Sequence, residues 1–216
     1  MLTKKTRAEQ PESPANGPRR EGSLRWRRFG AMMLVSGAIT GGLVVATAKG
    51  ALAAQFSISG LPFTVTATQL QGTGFEQFGT LDRMVANSPN AGKTGGQVFV
   101  IVSEIGSATL TNLCQSVALG GGYLKITAGS GSNPVSADTL IVDSTQVGGD
   151  ASFSNMSIGQ DASTLTEVPN EAGPAGDFGQ QADKVTINNL RQTNYATTAA
   201  SFTLPGLSMS ISATGC

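Results

Sequence analysis

The chain contains no histidine. That removes Ser-His-Asp and Cys-His catalysis, and with them any His-ligated zinc. Cysteine is nearly as scarce. Cys114 and Cys216 are the two present, too few for a Cys₄ metal site. The G-x-S-x-G elbow and the S-x-x-K motif of serine hydrolases are absent. Charged residues make up 13% of the chain and aromatic residues 6%. The sequence therefore predicts no catalytic residues, no cofactor and no metal site.

The little charge there is falls unevenly. Residues 1–28 carry eight basic residues against three glutamates, a net +5. Residues 54–216 carry five basic residues (Arg83, Lys93, Lys125, Lys184, Arg191) against eleven acidic ones, a net −6. An acidic domain is a poor partner for phosphate backbones, so nucleic-acid binding is not expected. The basic arm 1–28, with Pro11, Pro14 and Pro18, reads as disordered.

Between the two lies the one long apolar run. Arg25, Arg27 and Arg28 precede twenty uncharged residues, Phe29 to Ala48. Twenty helical residues span about 30 Å, the thickness of a bilayer's hydrocarbon core. The flanking arginines place the N-terminus inside, and Trp26 stands where an interfacial aromatic would. Residues 49–55 form a linker or cleavage region, with Ala51-Leu52-Ala53 as an A-x-A site before Ala54. The length of the run favours a retained single-pass anchor. Its dilution by Gly30, Gly37, Gly41 and Gly42 favours a cleaved signal. The expected location is the cell membrane, with the C-terminal domain outside; secretion after cleavage is the alternative. Export permits a disulfide between Cys114 and Cys216, with two buried free thiols as the alternative.

The exported part, 56–216, is rich in Gly, Ser, Thr and Val and reads as one β-rich domain. Three segments alternate apolar and polar residues: Phe63–Thr68, Leu124–Gly129 and Met209–Thr214. The first and third extend backwards, Phe56-Ser-Ile-Ser-Gly60-Leu61 matching Phe202-Thr-Leu-Pro-Gly206-Leu207, with the glycine read as a kink or bulge within a strand. A second element recurs: Thr109-Leu-Thr-Asn112-Leu-Cys114-Gln-Ser116 resembles Thr186-Ile-Asn-Asn189-Leu-Arg191-Gln-Thr193. Ala137-Asp138 and Ala182-Asp183 open a weaker pair, and Val98–Val102 reads as a buried strand. After Ala54 the best helix candidate is a turn or two within Phe75–Ala86. Asn87–Gly96 and Glu167–Gly179 read as exposed loops. The fold class is all-β, a sandwich or barrel-like roll of repeated strand-turn-strand units, with a β-solenoid as alternative.

Remaining motifs are weak. Gly92-Lys93-Thr94 ends like a P-loop but lacks its first glycine and its strand-to-helix frame. Gly148-Gly149-Asp150-Ala-Ser and Gly159-Gln-Asp161-Ala-Ser echo each other, either as Ca²⁺-binding turns or as turns stabilised by aspartate. Asp138, Asp143, Asp150 and Asp161 could supply a glycosidase-like pair, though their spacing selects none. Phe56, Phe63, Phe75, Phe78 and Phe99 could line a lipid pocket or form core.

The Arg-rich start, the Ala/Gly-rich apolar run, Phe56-Ser-Ile-Ser-Gly, Ala108-Thr-Leu-Thr-Asn-Leu-Cys114-Gln and Leu204-Pro-Gly-Leu with Cys216 resemble an actinomycete family of exported proteins of unknown function. Its members often carry the label cholesterol esterase. The resemblance implies no active-site residue that maps onto this chain. The leading functional reading is a non-enzymatic envelope protein whose β-domain binds a lipid, a glycan or a partner protein. The alternatives are an atypical esterase without a His base, and a structural protein that self-assembles through strand edges.

Overall fold

The computed structural model describes residues 57–216. The arm, the apolar run Phe29–Ala48, the Ala53–Ala54 junction and Phe56 lie outside the described residues. Nine strands follow in chain order: β1 (Phe63–Arg83), β2 (Gln97–Thr111), β3 (Leu113–Ala118), β4 (Tyr123–Ala128), β5 (Val135–Ser154), β6 (Ser157–Asp161), β7 (Phe178–Thr198), β8 (Ser201–Thr203) and β9 (Ser208–Ser212). The domain is all-β, with a short 3-10 turn at Ala162–Thr164. Among the described residues no helix is long and apolar enough to cross a membrane.

Four long strands close on themselves. β1 pairs with β2, β2 with β5, β5 with β7, and β7 returns to the free edge of β1, all antiparallel. Closure pairs most of the long strands' edges; the start of β2, before Ile101, and the outer strand β9 keep one edge each. The coil is steep. Phe78 pairs with Val102, Val102 with Asp143, and Asp143 with Ala196. Ala196 lies two residues past Asn194, the partner of Phe63. One circuit thus carries the register from the C-terminal end of β1 to beyond its N-terminal end. A hairpin of β3 and β4, extended by β9, continues the sheet outward.

A five-residue burial pattern fits the strands to this coil. In β1 the buried positions are Val65 and Ala67, then Leu70 and Gly72, then Phe75. β5 repeats it with Val135 and Ala137, then Leu140 and Val142; β7 with Val185 and Ile187, then Leu190 and Gln192. A regular strand alternates faces, so two outward residues in a row would put the next pair outside. At three of these steps a residue at positive φ restores the phase, Gly74 (65°), Thr139 (47°) and Asn189 (55°), and Asn112 (53°) does the same between Leu110 of β2 and Leu113 of β3; each stands directly before a buried residue. Glycine and asparagine tolerate that backbone; threonine does so at a cost.

The recurring octads are therefore one local structure used twice, on the two edges of β1. Gln115 and Gln192 both pair with Val65, and Leu110 and Ile187 both pair with Leu70. Gly60 and Gly206 also correspond, at φ 75° and 64°. They form turns before β1 and β9 rather than kinks inside a strand, which corrects the bulge reading. Phe75–Ala86 is no helix: β1 runs through to Arg83, because its pairing with β2 continues to Gln97. Val98–Val102 is a strand buried on alternate residues only, with Val100 inside and Phe99 exposed.

Two apolar clusters hold the domain. The larger fills the barrel around Leu70, Phe75, Ile105, Leu140, Val185 and Leu190. The smaller, Phe78, Val100, Val102, Ala162 and Leu165, lies on the opposite face of β1 and β2, beneath the segment 162–177. Asp161 fixes one end of that segment, accepting from Ser163 N at 3.0 Å and Gly176 N at 2.9 Å.

Candidate functional site

β5 follows β2 only as far as Ile101–Ser144 and then runs along β7. Beside the edge this leaves, β1, β2 and β7 line an open cleft of about 550 Å³. Leu81 and Phe99 are direct cross-strand partners, as are Gly79 and Ile101. Gly79 matters by what it lacks. A Cβ there would stand 3.0 Å from the Phe99 ring, which lies over the glycine. Phe178, at the start of β7, forms another wall. Phe99 is 68% exposed, Phe178 61% and Leu81 50%.

Beneath the cleft lies a second cavity of about 250 Å³, inside the barrel, walled by Leu70, Phe75, Ile105, Val142 and Ile187. The Phe75 and Phe153 rings meet over it, with centroids 5.2 Å apart. Gln77 and Ile101 line both spaces. Gln77 is the polar divider. It donates to Ser103 Oγ at 2.8 Å and accepts from Gln180 Nε2. All three belong to one row across β2, β1 and β7, since Gln77 pairs with both Ser103 and Gln180. This satisfies the amides in an otherwise apolar channel. It also leaves Ser103 beside an amide, which cannot act as a base for a nucleophile.

The reverse face of the same strands is acidic. Glu76 and Glu104 are direct cross-strand partners, both buried. Glu76 Oε1 accepts from Val168 N at 2.7 Å. The second oxygen of each carboxyl has no hydrogen-bond partner among the described residues. Asp82 and Asp143 share a hydrogen bond nearby. Burial raises the pKa of Glu76, Asp82 and Glu171, pushes Glu104 up to about 8 and Asp143 up to about 7. For Glu104 the neighbouring acids Glu171, Glu76 and Asp143 add to the effect. Burial thus disfavours the charged form of each of these carboxyls, most of all at Glu104 and Asp143. No group of acids, among the described residues, has the geometry to hold a metal ion.

The chain matches a family model over residues 59–216. It belongs to DUF6230, a family of unknown function. No curated protein and no solved structure matches it. The DUF6230 match thus covers the closed barrel, its outer hairpin and the cleft together.

Cys114 and Cys216 of the DUF6230 domain are joined as a disulfide, S–S 2.01 Å. Phe29, Ala48, Ala53 and Ala54 lie outside the described residues. The four aspartates, among which the spacing selects no pair, are dispersed, Asp143 lying beside Asp82. Asp138 receives Ser201 Oγ at 2.6 Å, Asp150 receives Asn189 Nδ2 at 3.0 Å from within β5 rather than a turn, and Asp161 caps the 3-10 turn. Gly92-Lys93-Thr94 sits in the loop between β1 and β2, Thr94 Oγ1 bonding Ala91 O at 2.9 Å. The phenylalanines divide: Phe75 and Phe78 are core, Phe99 is cleft. Sequence reasoning missed Leu81 and Phe178, and it missed Glu76 and Glu104. The acids carried a signal, since each interrupts an apolar strand segment (Phe75-Glu76-Gln77-Phe78 and Val102-Ser103-Glu104-Ile105).

Proposed function

We propose that this protein is a non-enzymatic lipid-binding protein of the cell envelope, which takes an apolar chain into the cleft between Leu81, Phe99 and Phe178. Its domain is held at the outer face of the membrane by the Phe29–Ala48 segment, or released by cleavage between Ala53 and Ala54. One observation carries the reading: two phenylalanine rings and a leucine, each at least half exposed, rim an apolar cleft above a second apolar cavity. Leaving such surface in water forfeits about 25 cal/mol per Å² of burial, which a bound chain would recover. The cleft volume falls among those of small-molecule sites, roughly 300–1,000 Å³. The polar lining is confined to the Gln77–Gln180 pair, Thr80 and Asp177, which suits a chain with a polar end and few other polar atoms.

The test is mass spectrometry of lipid extracted from protein purified out of its native membrane without added detergent exchange. The expected result is one lipid class bound stoichiometrically and depleted in a Phe99→Ser, Phe178→Ser double variant. Protein that carries no lipid, or equal lipid in both forms, would overturn it.

A further inference from the structure

The chain enters the domain at a defined place. Ile58 forms a parallel bridge with Met84, and Ile58 N donates to Arg83 O at 3.0 Å. The first described residues therefore meet the barrel at the C-terminal end of β1, where the cleft opens. Nine residues, Lys49 to Ser57, separate Ile58 from the apolar run ending at Ala48. Fully extended, they reach about 30 Å.

The same end carries an exposed apolar rim wider than the cleft. Val85, just past β1, is 60% exposed, and Ile158 is 67% exposed. Ile158 pairs with Gln180 across β7, so it continues the surface of Phe178 and Gln180 on the far side from β1. Neither Val85 nor Ile158 lines the cleft. Of the five basic residues in 54–216, Arg83 and Lys93 both belong to this end, one closing β1 and one in the loop that follows. Asp177, exposed just before Phe178, is the acid of the cleft lining. Exposed apolar side chains with Arg83 and Lys93 at their border match the boundary between acyl chains and headgroup phosphates.

A second exposed apolar patch exists, Met209 and Ile211 on β9, at 60% and 73%. It lies on the outer hairpin that extends from the opposite end of β1, since β3 pairs with Phe63–Thr66. Two patches and one point of chain entry give a definite choice.

We infer that the rim formed by Leu81, Val85, Phe99, Ile158 and Phe178 docks on a phospholipid bilayer surface, so that the cleft opens directly onto the leaflet from which its ligand is drawn. This rests on the lipid-binding reading for its purpose, but its test does not. The full chain, with Trp26→Phe to remove the native tryptophan, is reconstituted into phosphatidylcholine vesicles carrying brominated acyl chains. Single probes are introduced as Val85→Trp, Ile158→Trp and Ile211→Trp, all at exposed positions. Emission from the first two is expected to be blue-shifted and quenched by the bromolipid, while Ile211→Trp keeps its emission. Val85→Trp and Ile158→Trp unquenched, or all three quenched alike, would overturn the docking. Because these probes lie outside the cleft, a lipid held in the cleft alone leaves them bright. Copurified lipid with bright rim probes would thus sink the docking and spare the lipid binding; quenched probes without copurified lipid would do the reverse.

Discussion

Cys114 and Arg191 pair with the same residue, Thr66, from opposite edges of β1. Both hold Cys216: Cys114 through the disulfide, Arg191 through a hydrogen bond from Nη1 to the Cys216 carbonyl oxygen at 3.0 Å. They occupy corresponding positions in the two octads, Asn112-Leu-Cys114-Gln and Asn189-Leu-Arg191-Gln. One backbone template thus presents a thiol on one side and a guanidinium on the other, and the segment around Cys216 is clamped between them. Ser116 Oγ, accepting from Cys216 N at 2.9 Å, completes the attachment.

The two holds differ in strength and are coupled. The disulfide links residues 102 apart, so in the chain-entropy model Cys114→Ser lowers the unfolding free energy by about 5 kcal/mol. Arg191→Ala removes an exposed hydrogen bond and costs about 1 kcal/mol. In the Cys114→Ser background Arg191→Ala costs less, because Cys216 is no longer held in place for Arg191 to meet. Urea unfolding of the four forms checks this. Strict additivity would mean that the two residues act on Cys216 independently.

The positive-φ residues make a second prediction. Both Asn189→Ala and Asn189→Gly lose the exposed hydrogen bond to Asp150, but Asn189→Ala also places a Cβ-bearing residue in the left-handed region, so it is expected to be about 1 kcal/mol less stable than Asn189→Gly. At Thr139 the sign reverses. Its β-branched side chain at φ 47° is strained, so Thr139→Asn is expected to raise stability, by about 0.5–1 kcal/mol. Chemical denaturation reads both. A destabilised Thr139→Asn would mean that its side-chain packing outweighs its backbone.

These residues also show what the sequence made legible. Alternation in Phe63–Thr68, Leu124–Gly129 and Met209–Thr214 is a local, period-two signal, and each segment lies on or largely within a strand. The octad likeness was legible because the same left-handed turn demands asparagine in both copies. Closure into a barrel was not. It depends on the long-range return of β7 to β1, and no local pattern encodes which edge a strand will find. The helix candidate at Phe75–Ala86 failed for a related reason. Burial at Phe75, Glu76 and Phe78 mixes two faces of one strand, which imitates helical spacing. The cleft stayed hidden because Leu81, Phe99 and Phe178 are far apart in sequence and meet only through register.

The buried acids give a pH dependence with a definite sign. Glu76 and Glu104 face Glu171 of the 162–177 segment, Asp82 and Asp143 share a hydrogen bond, and burial raises all five. In the unfolded chain such carboxyls titrate near pH 4. Between there and the folded values of about 7 for Asp143 and about 8 for Glu104, the folded state binds more protons. Stability is therefore full below about pH 4 and is lost as pH rises through about 8. Glu104→Gln, which keeps the shape without the charge, should flatten that slope. Unfolding midpoints measured across the window decide it; a wild-type midpoint that rises with pH would refute the assignment.

The cleft predicts a separation of binding from stability. Phe99 and Phe178 are mostly exposed, so Phe99→Ser and Phe178→Ser should change the unfolding free energy by no more than about 0.5 kcal/mol. Each nevertheless removes an aromatic wall of the cleft, and binding of a fluorescent fatty acid should weaken severalfold. Ile105→Ala is the contrast. Ile105 is buried in the barrel core and lines the inner cavity, so its truncation costs about 2–5 kcal/mol while leaving the rim rings in place. Gly79→Ala probes the ring itself: the added Cβ meets Phe99 at 3.0 Å, and because that ring is exposed it can swing outward at little cost to folding. Fatty-acid titration of Gly79→Ala should then show altered affinity at unchanged stability. Unchanged affinity in all three cleft variants would place the ligand elsewhere.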